Sequence, residues 1–182
     1  SHSWFREPEK HVTFLIAELH QETDYVVHHV QKLCAFFKAM EQFAQAISKA
    51  GHKVIYLTLD AAKTAMPLPD LIDDLCAHHG FKAVEYQRPD EFRLLKQLRD
   101  YAEQSKHSVD ECDTEHFLVP FDELKSYFKP GKAIRMEAFY RKLRRRFDIL
   151  MDGDEPLGGK WNYDAQNRNK LKVADIKEIP AP

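Results

Sequence analysis

The 182-residue sequence predicts an α/β fold, a doubly wound parallel sheet in three α/β/α layers followed by a helical extension. Two observations indicate this class. Short apolar runs rich in β-branched and aromatic residues alternate with longer segments in which apolar residues recur every three or four positions, as in strands and amphipathic helices. Such alternation is typical of parallel sheets, whose neighbouring strands are joined by right-handed helical crossovers.

The first crossover unit is a strand, a long helix and a second strand. Residues 12–17 form a near-continuous apolar run, which is typical of a strand buried on both faces. A polar stretch, 18–25, precedes a helix with one apolar face, which begins at Val26 and is ended by the glycine at position 51. Residues 53–59 predict the second strand. Ligands bind beyond the carboxyl ends of such strands, so Ala17 and the polar stretch should line a crevice.

Two more helix and strand pairs follow. A helix is predicted over 69–79, a strand over 82–86, a helix that Asp90 caps and that ends near residue 104, and a strand over 108–112. The resulting sheet would have only four strands, which is small for this architecture.

The pattern changes after residue 113. We expect a loop, a short helix over 121–128, a long helix over 135–150, a turn-rich stretch from 152 and a linker over 173–182. These elements define three parts of the chain, which are an α/β domain over 1–118, a helical extension over 119–151 and a tail over 152–182.

Composition excludes few classes. Hydrophobic residues make up 43% and charged residues 31% of a chain with a net charge of −2, so the molecule as a whole is not an electrostatic nucleic-acid binder. No apolar run reaches the roughly 20 residues of a membrane helix, and we expect no signal peptide. Three widely spaced cysteines, Cys34, Cys76 and Cys112, suit free thiols in a reducing cytoplasm.

Several kinds of chemistry lack their motifs. No glycine-rich phosphate loop or nucleophile elbow is present, and no catalytic residue is assigned. The adjacent pairs His28-His29 and His78-His79 point about 100° apart on a helix, so they disfavour a metal site. Glu18, Glu22 and Tyr25, at the end of the first strand, could hydrogen-bond a heteroaromatic ligand that Phe36 and Phe37 flank. Alternatively, Glu22 complements a helix dipole and Tyr25 packs in the core.

The helix over 135–150 carries a dense set of cations, and three interpretations remain open for it. The helix either presents a solvated face, docks on an acidic surface of another domain, or contacts a phosphate backbone. The first two interpretations are favoured, because acidic residues elsewhere in the chain balance the charge. Trp161, after a double glycine, is interpreted as a packing anchor for the tail. The cations are Arg135, Arg141, Lys142, Arg144, Arg145 and Arg146.

Six short segments are more specific together than any one of them. They are ETDYVVHH at 22–29, AGHKV at 50–54, RPDEFR at 88–93, DTEHFL at 113–118, RMEAFYR at 135–141 and GGKWNYD at 158–164. In this order and spacing, the chain resembles the amino-terminal antenna domain of the photolyase-related proteins. These form the prokaryotic iron–sulfur branch of the cryptochrome/photolyase family, which includes bacterial 6-4 photolyases.

The resemblance implies a flavoprotein, a carbon–carbon lyase that repairs ultraviolet pyrimidine lesions in DNA with blue light. Its first domain would be a Rossmann-like sheet that binds the antenna 6,7-dimethyl-8-ribityllumazine, and a larger helical domain would bind FAD and a 4Fe-4S cluster. Carried over by motif position, the antenna-pocket residues are Ala17, Glu22, Tyr25 and Phe36.

The chain departs from the family pattern in two ways. The pattern opens with another strand that ends in a Gly-Asp-Gln loop, and this chain starts after it. The FAD domain is also missing, and three scattered cysteines cannot supply the four ligands of the cluster. We therefore expect this chain to bind the chromophore and not to catalyse, with the missing FAD domain as its partner and DNA bound through the full-length protein. The alternative is a non-enzymatic α/β interaction or photoreceptor module without the pigment.

Overall fold

A computed structural model describes residues 3–133, 135–164, 166–167 and 169–180. The chain divides into two compact units, Ser1–Pro120 and Phe121–Pro182. No helix in the described part is both long enough and apolar enough to cross a bilayer.

The first unit alternates strands and helices as the sequence predicts. A 3₁₀ turn, Ser3–Phe5, precedes β1, and a second one, Ala62–Ala65, precedes α3. The other elements are β1 (Thr13–Ala17), α1 (His20–Asp24), α2 (Val30–Lys49), β2 (Lys53–Leu57), α3 (Leu68–His79), β3 (Ala83–Gln87), α4 (Phe92–Gln104) and β4 (Ser108–Cys112).

The strands form two parallel pairs. β1 pairs with β2 from Thr13↔Lys53 to Ala17↔Leu57, and β3 pairs with β4 from Ala83↔Ser108 to Gln87↔Cys112. A helix connects the strands of each pair, so the α/β class is correct, but the described residues contain no ladder between the two pairs. The expectation that β1 is buried on both faces is wrong. All five of its residues are half-buried, and among the described residues β1 pairs with β2 alone.

The core of this unit is centred on α3. Leu71, which is fully buried, packs with Leu75 and Leu19, and a second cluster joins α3 to α4 through Ile72 and Leu98. Leu15 of β1 contacts both clusters. The second cluster also contacts side chains from both strands of the other pair, namely Val84, Tyr86 and Val109.

Local hydrogen bonds set the ends of two helices differently from the prediction. α2 begins at Val30 instead of Val26, because the His29 ring accepts a hydrogen bond from the amide of Gln31 at 3.2 Å and so caps the helix. The predicted cap Asp90 is also wrong. The carboxylate of Glu91 caps α4 by accepting from the amides of Arg93 and Leu94, at 2.9 and 2.7 Å.

The second unit is built around one helix. It contains α5 (Leu124–Tyr127), α6 (Met136–Phe147), an antiparallel pair of β5 (Met151–Asp152) and β6 (Glu155–Pro156), and α7 (Val173–Lys177). α6 is shorter than predicted, because Asp148 takes a left-handed φ of 52° and ends it. The segment predicted as a linker contains α7.

Trp161 packs against α6. Its ring centre lies 5.2, 5.2 and 4.7 Å from the guanidinium carbons of Arg141, Arg144 and Arg145. Arg144 is buried and donates to the carbonyls of the residues that follow the helix, Ile149 and Leu150. The interpretation of Trp161 as a packing anchor is therefore confirmed.

Candidate functional site

An ion pair joins the segment after β1 to the first turn of α4. Both oxygens of the Glu22 carboxylate accept hydrogen bonds from the Arg93 guanidinium, with Nη2 to Oε2 at 2.6 Å and Nη1 to Oε1 at 3.2 Å. Glu22 is placed by the short helix α1, and Arg93 by the helix that directly follows β3. The pair therefore brings together the segments that leave the carboxyl ends of β1 and β3, in a two-pronged geometry that fixes direction as well as distance.

The same guanidinium lies over an aromatic ring. The central carbon of Arg93 is 4.5 Å from the ring centre of Tyr25, a distance at which a cation is attracted to the face of the ring. Tyr25 is 54% exposed, and its ring also meets that of His28 edge to face at 5.1 Å. The alternative in which Tyr25 packs in the core is therefore wrong, because its ring is more than half exposed and lies against the charged guanidinium of Arg93.

Two glutamines extend this polar cluster towards α3. The amide of Gln21 donates to Glu22 and to Gln97, both at 2.9 Å, and its oxygen accepts from the amide of Leu68 at 2.9 Å. Leu68 is the first residue of α3, and Gln97 lies on α4. Carboxylate, amide and guanidinium groups of three helices are thus collected at one place.

The carboxylate of Glu18, just after β1, hydrogen-bonds to other groups of the same unit. This buried carboxylate accepts hydrogen bonds from the Tyr56 hydroxyl and from the amide of Leu59 at 2.8 Å. Burial, reinforced by this hydrogen bond, raises the pKa of Tyr56 well above its ordinary value. Glu18 therefore fastens β1 to the segment after β2 and is not open to a ligand.

The ion pair also governs ionisation around Arg93. The hydrogen bonds that Arg93 donates to Glu22 raise the pKa of Arg93, and the hydrogen bonds that the amides of Arg93 and Leu94 donate to Glu91 lower the pKa of Glu91. Glu91 lies 3.8 Å from the guanidinium, so two carboxylates flank one cation. Within the described ranges, no three metal-ligating side chains of the His, Cys, Asp and Glu types come together.

The structure brings together two of the four predicted site residues. Glu22 and Tyr25 both contact Arg93. Ala17 ends β1 opposite Leu57 and is half-buried. Phe36 lies on α2 and is 60% exposed, and the ammonium of Lys32 lies 5.9 Å from its ring centre.

The sequence pattern alone assigns no role to Arg93, Gln21 or Gln97. A signal for Arg93 was present, because it lies in the RPDEFR segment, six residues after the end of β3. The carboxyl ends of parallel strands meet at one edge, so a charged residue there is a candidate partner for Glu22. Nothing in the spacing could identify the glutamine pair, because it depends on how α1 meets α4.

Comparison with known proteins gives one family match and two similar proteins. The family model described as "Deoxyribodipyrimidine photo-lyase-related protein" matches residues 1–182. The chain is 32% identical over 168 residues to (6-4) photolyase of Agrobacterium fabrum, a match that covers 90% of this chain and 32% of that protein. It is 27% identical over 145 residues to an uncharacterized protein of Acanthamoeba polyphaga mimivirus, covering 77% of this chain and 71% of that protein. The chain thus spans about a third of the length of the photolyase it matches.

Proposed function

Because the chain belongs to the deoxyribodipyrimidine photo-lyase-related protein family, we propose that it is the light-harvesting part of a longer flavoprotein. It would bind 6,7-dimethyl-8-ribityllumazine as an antenna at the cluster of Glu22, Tyr25 and Arg93. One observation carries this proposal, which is that Arg93 contacts both other residues beyond the ends of β1 and β3. Ligands of α/β proteins bind in this position.

The side chains of the cluster fit such a ligand chemically. A lumazine ring presents carbonyl oxygens, which could accept hydrogen bonds from Arg93 and from the side-chain amides of Gln21 and Gln97. It also presents an N–H group, which could donate to the carboxylate of Glu22. The half-exposed ring of Tyr25 offers a flat apolar surface. Ala17 and Phe36 would supply the remaining wall. When bound, the pigment would absorb blue light and pass the excitation to a flavin.

We further propose that the two strand pairs are halves of one Rossmann-like, doubly wound sheet. A fifth parallel strand, as the family resemblance implies, would insert between β1 and β3. Each of these strands is paired along one edge in the described part of the chain. Leu15 of β1 and Val84 of β3 already contact the same cluster on α3 and α4. The carboxyl end of the inserted strand would then lie beside Glu22.

We also propose an activity for the longer protein, on the basis of its family. Its helical domain would bind FAD and the 4Fe-4S cluster, contact this chain, and carry out blue-light repair of pyrimidine lesions in DNA.

The free thiols of Cys34, Cys76 and Cys112 support a cytoplasmic location.

A second candidate is an interaction or photoreceptor module without pigment. The favouring observation is that Arg93 already occupies both oxygens of Glu22, so the cluster is satisfied without a ligand and serves to hold α1 against α4.

Titration with 6,7-dimethyl-8-ribityllumazine, followed by its fluorescence, separates the two candidates. We expect saturable binding that Glu22→Gln weakens on the order of tenfold, as the loss of a charge-assisted hydrogen bond predicts. The matched control is Glu137→Gln, which removes an exposed, ion-paired carboxylate from α6 in the other unit. Binding that both variants retain equally would contradict the site. If the chain does not bind the pigment, the same titration on a chain extended by the fifth strand decides between an incomplete pocket and a module without pigment.

A further inference from the structure

A cationic cavity lies at the start of α6. Its volume is about 240 Å³, and its lining has four positive side chains and two aromatic rings, namely Tyr127, Lys129, Lys132, Arg135, Phe139 and Lys142. Among the described residues, no carboxylate lines it. We propose that this cavity binds a phosphate group. The proposal is independent of the antenna site, because the cavity lies within the second unit.

The cations of this cavity differ from three arginines of α6, Arg141, Arg144 and Arg146, whose guanidiniums hydrogen-bond within the chain. Arg141 pairs with Glu137, and Arg146 pairs with Glu123 at 2.5 Å. Arg144 donates to backbone carbonyls. By contrast, none of the four cavity cations forms a salt bridge within the described part of the chain. Three of the arginines singled out by their density in the sequence are therefore engaged, whereas the cavity cations, in the turn before α6 and on its first two turns, are available to an anion.

Four like charges around one small cavity repel one another, because charges closer than the Debye length of about 10 Å are only partly screened. The whole chain has a net charge of −2, so this excess is local. An anion with several acceptor oxygens relieves the repulsion at several side chains at once. Phosphate has this form, and both lysine and arginine bind it.

The helix and the rings favour a phosphate that carries an organic group. α6 has 12 residues, and the side chain of its first flanking residue, Arg135, makes no capping hydrogen bond, so the amino end of the helix adds a partial positive charge. The Tyr127 and Phe139 rings meet edge to face at 5.3 Å and form an apolar wall beside the cations. A volume of about 240 Å³ is below the range of typical ligand pockets, which suits a single phosphate and its attached sugar.

Two charge-matched variants test the proposal. The double variant Lys132→Gln, Lys142→Gln removes two cavity cations, which are exposed and whose loss should not disturb folding. The control, Lys38→Gln, Lys96→Gln, removes two exposed lysines that pair with carboxylates in the first unit. The probes are inorganic phosphate, followed by ³¹P line broadening, and a short fluorescent single-stranded oligodeoxynucleotide, followed by anisotropy at several salt concentrations.

We expect the cavity variant to bind phosphate on the order of tenfold more weakly and the control to bind it as the unmodified chain does. If a nucleic-acid backbone is the source of the phosphate, the oligonucleotide also binds more weakly, and its salt dependence falls by about 0.7 in logarithmic slope for each lost contact. An effect on inorganic phosphate alone identifies a free phosphate as the source. Equal losses in both variants, or an unmodified chain that binds neither probe, would overturn the proposal.

Discussion

The Arg93 guanidinium meets both carboxylate oxygens of Glu22, although 71 residues separate them in the sequence. Glu22 follows β1, Arg93 follows β3, and these strands belong to different pairs. The ion pair therefore holds together two halves of the first unit that no strand ladder joins in the described residues. It also determines which charges a ligand at this edge would meet.

The first prediction concerns the strength of this tie. Glu22→Gln and Arg93→Gln should each lower the free energy of unfolding by about 1 kcal/mol or less, because both side chains are about two-fifths exposed and solvent screens the pair. Urea unfolding of both single variants and the double variant should give a coupling free energy of about 0.5 kcal/mol. Strictly additive effects would mean that the pair contributes nothing to holding α1 against α4.

A larger effect is predicted at Tyr56. Tyr56→Phe removes a donor from the buried Glu18 carboxylate and should cost about 1–3 kcal/mol of unfolding free energy. The control Tyr25→Phe removes a hydroxyl from a half-exposed ring for which no hydroxyl hydrogen bond is found among the described residues, and it should change stability by less than about 0.5 kcal/mol. Similar losses in both variants, measured by urea unfolding, would contradict the bracing role of Glu18.

The sequence predicts a structural element well where the bounds of that element depend on the local pattern of apolar residues. The period of apolar residues depends on local geometry, so the fourth strand was predicted at its observed bounds, Ser108–Cys112, and the third within one residue. The start of α2 was missed because it depends on one side chain, His29, which accepts a hydrogen bond from the backbone.

The candidate site was harder to predict than the elements. Glu22 and Tyr25 could be selected because they follow a strand, but their common partner Arg93 becomes visible only when the chain is folded. The sequence placed Glu18 in the same group. Only the fold shows that its carboxylate is buried and already paired with Tyr56.

Alkaline pH should destabilise the first unit through two tyrosines, the buried Tyr101 and the half-buried Tyr86. Burial raises the pKa of Tyr101 from 10.0 to about 12, and burial together with the Glu111 hydrogen bond raises that of Tyr86 to about 12. The folded state then holds these protons while the unfolded state has lost them. Stability is therefore fully present below pH 10.0 and falls as pH rises towards about 12.

Urea unfolding at a series of pH values measures this loss. Tyr101→Phe should make the decline between pH 10 and about 12 shallower, because one of the shifted groups is removed. Tyr163→Phe is the control, since Tyr163 is 72% exposed. A decline that is equally steep in the Tyr101 variant would show that other groups govern the alkaline transition.

The last prediction concerns Trp161 and the arginines of α6. Three guanidiniums within about 5 Å of one ring gain cation–π attraction, at roughly 0.5–1 kcal/mol for an exposed contact and about 2 kcal/mol for a desolvated one, as with the buried Arg144. Trp161→Leu keeps an apolar side chain but removes the ring face. Hydrogen exchange of the α6 amides should therefore become on the order of tenfold faster, while the α4 amides in the other unit serve as the internal control. Unchanged exchange in α6 would mean that the Arg144 bonds to the carbonyls of Ile149 and Leu150 suffice to hold the end of the helix.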